Sequence, residues 1–232
     1  MFTYFCEQPE ERNEVERYLA GRNVAYMYNR AMKTIFFDWG GVIARDPGDH
    51  FLADLLRSIG ANDKQVEDIF ASYMRDFTRG KISEKQYWAA IQSHYGLTIH
   101  DTISEEFTKW QGLKADESIL ALVDEVKSRG YKVALFTNVI EPSYNLIKAA
   151  GFYDHFDIIV ASCKVGYGKP DEEIYPIALQ MAGATASESL FIDDRQNFLD
   201  PAAKLGFTTI LAESSEQIIR DVRAYMDSHD TL

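Results

Sequence analysis

The sequence predicts an α/β fold, a doubly wound parallel sheet with a block of helices inserted after its first strand. Three observations carry that reading. From Thr34 onward, short apolar runs rich in β-branched and aromatic residues alternate with single stretches of helical period. Gly130, Gly151, Gly183 and Gly206 each follow a helical stretch, where a left-handed stop is wanted. Residues 47–113 break the alternation and carry helical patterning alone. Strands joined by single helices make right-handed crossovers, so the sheet is parallel, Rossmann-like and covered on both faces.

The elements follow in order. Residues 34–37 form the first strand, ended by Asp38-Trp39-Gly40-Gly41. The insert reads as helices near 49–59, 63–78, 84–94 and 102–110, and Leu52, Leu55, Leu56 and Ile59 repeat at i, i+3, i+4, i+7 as a buried face does. Tyr87, Trp88, Phe107 and Trp110 read as core of that insert. Further strands are expected at 131–136 (stopped by Thr137-Asn138), 157–161, 189–192 and 207–211, with helices near 116–129, 142–150, 172–182, 198–205 and 215–227. The chain thus divides into a sheet domain of residues 32–46 and 114–232 and a helical cap of residues 47–113. Hinges are expected near Arg45–Gly48 and Leu113–Asp116. Residues 1–31 are expected to be an extension with a peripheral helix near 10–20. Glu7, Glu10, Glu11, Glu14 and Glu16 stand where a secretory signal would be apolar.

Composition excludes several function classes. The net charge of −12 argues against a general nucleic-acid binder, because the surface repels phosphate backbones. No apolar run approaches the roughly 18 residues of a membrane span. Cys6 and Cys163 show no metal-type spacing and read as reduced thiols of a cytoplasmic protein, a monomer or homodimer.

The polar groups at the strand ends carry the chemistry. Asp38 follows the first strand, Thr137 and Asn138 the second, and Asp193 and Asp194 the fourth. Lys169 lies in the turn Gly166-Tyr167-Gly168-Lys169-Pro170. Ligands of parallel sheets bind at the carboxyl ends of the strands, so these residues share one edge. Any one of them would pass as a turn or cap residue. Together, three carboxylates, a hydroxyl and a lysine suit a hard cation such as Mg²⁺ and a phosphate. A carboxylate there can also accept a phosphoryl group once cation and lysine offset the repulsion between anions.

At this point the chain resembles the haloacid dehalogenase-like hydrolases over residues 33–228. Phe37-Asp38-Trp39-Gly40-Gly41-Val42-Ile43 is similar to the nucleophile motif, and Leu135-Phe136-Thr137-Asn138 to the second motif. Lys169-Pro170-Asp171-Glu172-Glu173-Ile174-Tyr175 is similar to the lysine motif, and Phe191-Ile192-Asp193-Asp194-Arg195 to the metal motif. The resemblance implies a Mg²⁺-dependent phosphatase of a small phosphorylated metabolite, with sugar phosphates suggested by the Asp-x-Gly-Gly variant. It implies that Asp38 is nucleophile and metal ligand, that the Gly40 carbonyl, Asp193 and Asp194 complete the metal site, and that Thr137, Asn138 and Lys169 hold phosphate.

The sequence departs from the family pattern at two places. The family's phosphatases usually carry a second aspartate two residues after the nucleophile, and here that position is Gly40. Loss of a general acid–base typically costs about 10²–10⁴ in rate, roughly 2.7–5.5 kcal/mol of barrier. Asp46, Asp49 and His50 lie just downstream as substitutes, although hinge or cap roles suit them better. Four residues past Asp194, where the family often has Asp or Asn, stands Phe198, with Asn197 just before it. These departures keep open an alternative, a catalytically weak domain that binds a phosphorylated ligand or protein partner. A dehalogenase needs no metal, and the paired Asp193 and Asp194 argue against that reading.

Overall fold

The computed structural model describes residues 33–44, 49–103 and 114–229. The expected N-terminal helix, the first hinge and nearly all of the fourth insert helix lie outside these residues. Side chains are described from Leu52 onward in the first insert helix.

Five parallel strands form one sheet, ordered β3-β2-β1-β4-β5. They are β1 (Thr34–Phe37), β2 (Lys132–Thr137), β3 (Ile158–Ala161), β4 (Ser189–Asp193) and β5 (Thr208–Leu211). In the central strand β1, Phe37 pairs with Leu135 on one side and Ile192 on the other. Successive side chains of a strand point to opposite faces, and every residue of β1 is buried, as a sheet covered on both sides requires. Ile35 and Phe37 pack with Val133, Leu135, Leu190 and Ile192 beneath α4 (Glu117–Ser128), α5 (Glu141–Ala149) and α9 (Ser215–His229). Phe36, Phe136 and Phe191 fill the other face against α7 (Ile174–Ala182) and α8 (Gln196–Leu205). Each such ring contributes up to about 3 kcal/mol by leaving water.

The insert carries its own core. It comprises α1 (Asp49–Ser58), α2 and α3 (Glu84–Tyr95). Helix α2 runs from Asp63–Ile69 through a π-helical turn, Phe70–Met74, into Arg75–Thr78. Its start is set by a capping box between Asn62 and Gln65, and that of α3 by one between Ser83 and Gln86. Leu52, Leu55, Leu56, Ile69, Phe77, Tyr87, Trp88 and Ile91 are buried together, with Phe77 stacked on Tyr87 at 4.7 Å. Ile140, from the loop after β2, joins this cluster and seats the insert over the sheet's carboxyl edge. The two connections of the insert run side by side. Ala44 bridges Ala115, and the Asp116 amide donates to the Ile43 carbonyl at 2.7 Å.

Differences from the sequence reading are local. β2 begins and ends one residue later, because Thr137 pairs with Ala161 and so belongs to the strand. A short helix, α6 (Ser162–Val165), follows β3 directly. Helix α8 starts two residues early and places Phe198 in its first turn.

Candidate active site

The carboxyl ends of β1, β2 and β4 bring Asp38, Thr137, Asp193 and Asp194 to one edge, as parallel register demands. The Asp38 amide donates to the Ile192 carbonyl at 3.0 Å, so the residue is fixed by β4 although it lies past β1. Its Oδ1 accepts from the Trp39 amide at 2.8 Å and lies 3.1 Å from Lys169 Nζ. Among the described residues nothing hydrogen-bonds its Oδ2.

Lys169 is held by everything around it. Its Nζ donates to the Phe136 carbonyl at 2.9 Å and to Asp193 Oδ2 at 2.5 Å, and reaches Asp38 as its third partner. The rings of Phe136, Phe191 and Phe198 stand 5.1–5.3 Å from the ammonium, close enough for cation–π attraction. Its side chain is 0% exposed. An isolated buried ammonium would be costly, and two carboxylates and a carbonyl satisfy this one. Phe198, at the second departure from the family pattern, packs against this lysine, while Asn197 is exposed.

The carboxylates crowd one another. Oxygens of Asp38, Asp193 and Asp194 all lie within 4.8 Å of one another. Burial pushes the Asp38 carboxyl up to about 6, against the pull of Lys169, and the charge of Asp193 adds to the rise. Burial also raises Asp193, again against Lys169. Desolvation, then the charge of Asp38, raises Asp194. All three groups hold their protons more tightly than usual, chiefly because they are buried. An all-oxygen donor set of this kind fits Mg²⁺.

Two contacts were not legible in the residues. Gly41 has φ +73, and a Cβ there would stand 2.4 Å from Asp194 Cγ and Oδ2. The second glycine of Asp-Trp-Gly-Gly is thus required twice, by its backbone and by Asp194 pressed against it. Gly41→Ala is expected to cost about 1–3 kcal/mol of stability and to displace Asp194. Thermal unfolding of the variant checks this, and an unchanged midpoint contradicts it. The second contact concerns Asp171. The run Asp171-Glu172-Glu173 reads as an ordinary helix start, yet Asp171 forms a two-point ion pair with Arg79 of the insert.

Asn138 makes two hydrogen bonds that its motif does not name. Its Oδ1 accepts from the Lys169 amide at 2.8 Å, and its Nδ2 donates to the Lys169 carbonyl at 2.7 Å. The carboxamide therefore clamps the lysine's backbone. Thr137 is 3% exposed at the tip of β2, beside this clamp.

Mouse Bifunctional epoxide hydrolase 2 is 37% identical over 83% of this chain and 38% of its own length. Sesquiterpene phosphatase astK of Aspergillus oryzae is 29% identical over 75% of this chain and 86% of its own. Several curated relatives are much longer, and the matches span between 12% and 38% of their length. Among solved structures, a HAD family enzyme of Bacteroides thetaiotaomicron in complex with magnesium and inorganic phosphate superposes with a TM-score of 0.66. It is 21% identical, over 81% of this chain and 98% of that one. No helix among the described residues is long and apolar enough to cross a membrane. The family model of haloacid dehalogenase-like hydrolases matches residues 32–206, and the chain belongs to that family of hydrolases.

Proposed function

We propose that this chain is a Mg²⁺-dependent phosphomonoesterase acting on a small phosphorylated metabolite through an aspartyl-phosphate at Asp38. The observation that carries this reading is the Asp38–Lys169–Asp193–Asp194 cluster at the carboxyl edge of the sheet. Asp38 Oδ2 attacks phosphorus, and the bond to the leaving alkoxide breaks. Water then hydrolyses the aspartyl-phosphate and returns the carboxylate. Lys169 keeps Asp38 oriented through Oδ1 and offsets its charge as a phosphate approaches. Thr137 donates its hydroxyl to a phosphate oxygen. Asn138 supports the reaction indirectly by fixing the Lys169 backbone. The residues that would hold the ion are Asp38, Asp193, Asp194 and the Gly40 carbonyl. When bound, Mg²⁺ supplies positive charge that neutralises phosphate and carboxylate oxygens.

The test is a screen of phosphate esters with and without Mg²⁺. Sugar phosphates enter the panel on the strength of the nucleophile motif, and sesquiterpenyl phosphates because of the fungal relative. Mg²⁺-dependent phosphate release supports the reading. Release that ignores the metal contradicts the mechanism. Ligand-induced thermal stabilisation with negligible turnover across the panel favours the non-catalytic alternative.

Metal binding provides a second prediction. A ligand carboxyl must lose its proton to bind the cation, and Asp38 is raised to about 6. Mg²⁺ affinity, measured by calorimetry between pH 5 and pH 7.5, is expected to tighten by about tenfold or more. An affinity independent of pH over that range contradicts the assignment of Asp38 as a ligand.

A further inference from the structure

We infer that Arg79, a residue of the helical insert, is a positioning residue for Lys169, acting through its two-point grip on Asp171. This rests on the phosphatase reading of the same site.

Arg79 closes the C-terminal end of α2. Its Nε donates to Asp171 Oδ2 at 2.6 Å and its Nη2 to Asp171 Oδ1 at 2.8 Å, while Nη1 donates back to the Arg75 carbonyl at 2.9 Å. The residue is only 8% exposed, and the Asp171 side chain 17%. This pair is therefore unlike the exposed pairs of the insert, such as Arg57 with Asp54 and Asp63. Surface pairs contribute little, whereas removing one partner of a buried pair strands a charge.

Asp171 stands two residues past Lys169 and organises the turn that presents it. Its Oδ2 also accepts from the Gly168 amide at 3.2 Å, and its own amide donates to the Gly168 carbonyl at 2.8 Å. Hydrogen bonds from Arg79 hold its carboxyl below the usual range, so it stays ionised. The 168–171 turn is thus gripped on two sides, by Asn138 from the sheet and by Arg79 from the insert. Nearby contacts fix Arg79 itself. Ser162 Oγ donates to the Thr78 carbonyl at 2.6 Å. Gly80 lies so close to the core that a Cβ would stand 2.2 Å from the Cys163 carbonyl oxygen. Thr78 and Gly80 thus rest on Ser162 and Cys163, and the insert bears on the Lys169 turn through Arg79, with the exposed Arg75 3.6 Å from Asp171 Oδ1.

Lys169 must keep three directed partners, and small misplacement of such a group is costly. A shift of about 1 Å can lower a rate about 10²-fold. Arg79→Met and Asp171→Asn are each expected to lower kcat at least about tenfold for p-nitrophenyl phosphate with Mg²⁺, with KM changing much less. The double variant should lose no more than the worse single one, because both break one unit. Arg79→Lys should recover only part of the rate, since an ammonium cannot form the two-point fork. Arg57→Ala, which removes an exposed charge from the same insert, serves as the control and should leave kcat unchanged. Amide exchange across residues 166–171 should accelerate in Arg79→Met and stay fast in the double variant. A kcat within twofold of the native value together with unchanged exchange in that turn overturns the inference, and so does full additivity of the two substitutions. If the native protein hydrolyses no phosphate ester, the phosphatase reading fails, and amide exchange alone then decides whether Arg79 positions the turn. Should Arg79→Met not fold, Arg79→Lys decides by the same readings.

Discussion

Asp38→Asn is expected to lower phosphate-ester turnover at least about 10⁴-fold, the scale of losing a nucleophile, while the fold persists. The carboxamide keeps the shape that Trp39 and Lys169 contact, but it cannot attack phosphorus. The same substitution changes how stability depends on pH. The Asp38 carboxyl titrates near 3.9 in an unfolded chain and is raised to about 6 here by burial. A raised carboxyl contributes stability that is present below the unfolded value and lost as pH rises through the folded one. Metal-free native protein should therefore lose about 2–3 kcal/mol between pH 4 and pH 7 relative to Asp38→Asn. Chemical unfolding of both proteins in the presence of a chelator measures that difference. Turnover retained within tenfold shows that Asp38 is not the nucleophile, and parallel pH profiles show that its carboxyl is not perturbed.

The second large effect is expected at Gly40. Among the described residues, the carboxylates that cluster within 4.8 Å of one another at this edge are Asp38, Asp193 and Asp194, all proposed above as nucleophile and metal ligands. No further carboxylate of the described cluster is left to protonate a leaving oxygen. If no other residue replaces the missing acid, the leaving group departs largely as its anion, and rates should depend steeply on its pKa. Aryl phosphates such as p-nitrophenyl phosphate should react much faster than ordinary sugar phosphates, with anomeric sugar phosphates between them. Gly40→Asp should flatten that dependence and raise rates most for poor leaving groups, by about 10²–10⁴. Rates for a series of phosphate esters on both proteins test this. A shallow dependence in the native protein would show that another group already supplies the proton, with Asp46, Asp49 and His50 the first residues to substitute.

The sheet was legible because its strands are short, apolar and punctuated. Ile35-Phe36-Phe37 ends at Asp38, and Leu190-Phe191-Ile192 ends at the paired Asp193-Asp194. The parallel order then brings Asp38, Thr137 and the two aspartates after Ile192 to one edge without further information. Contacts made by residues far apart in the chain were not legible. Arg79 and Asp171 are 92 residues apart, and neither has a local signature that names the other. The pressure of Gly41 on Asp194 likewise joins two motifs that only the packing of β1 on β4 brings together. The π-helical turn Phe70–Met74 was hidden because apolar spacing over 63–78 reads the same for one helix with or without an extra residue. The partners of the Asn138 carboxamide were not legible because its motif says where it sits, while those partners are set by the Lys169 turn.

The central claim, a phosphoryl group carried by Asp38 in a Mg²⁺-dependent reaction, is tested most directly by trapping. The protein is mixed with p-nitrophenyl phosphate and Mg²⁺, quenched in acid within a turnover, digested and analysed by mass spectrometry. The peptide containing Asp38 should gain one phosphoryl group that is sensitive to hydroxylamine, and the gain should disappear with a chelator and in Asp38→Asn. Phosphate release with Asp38 unmodified at every quench time, or the same release without Mg²⁺, would contradict the account.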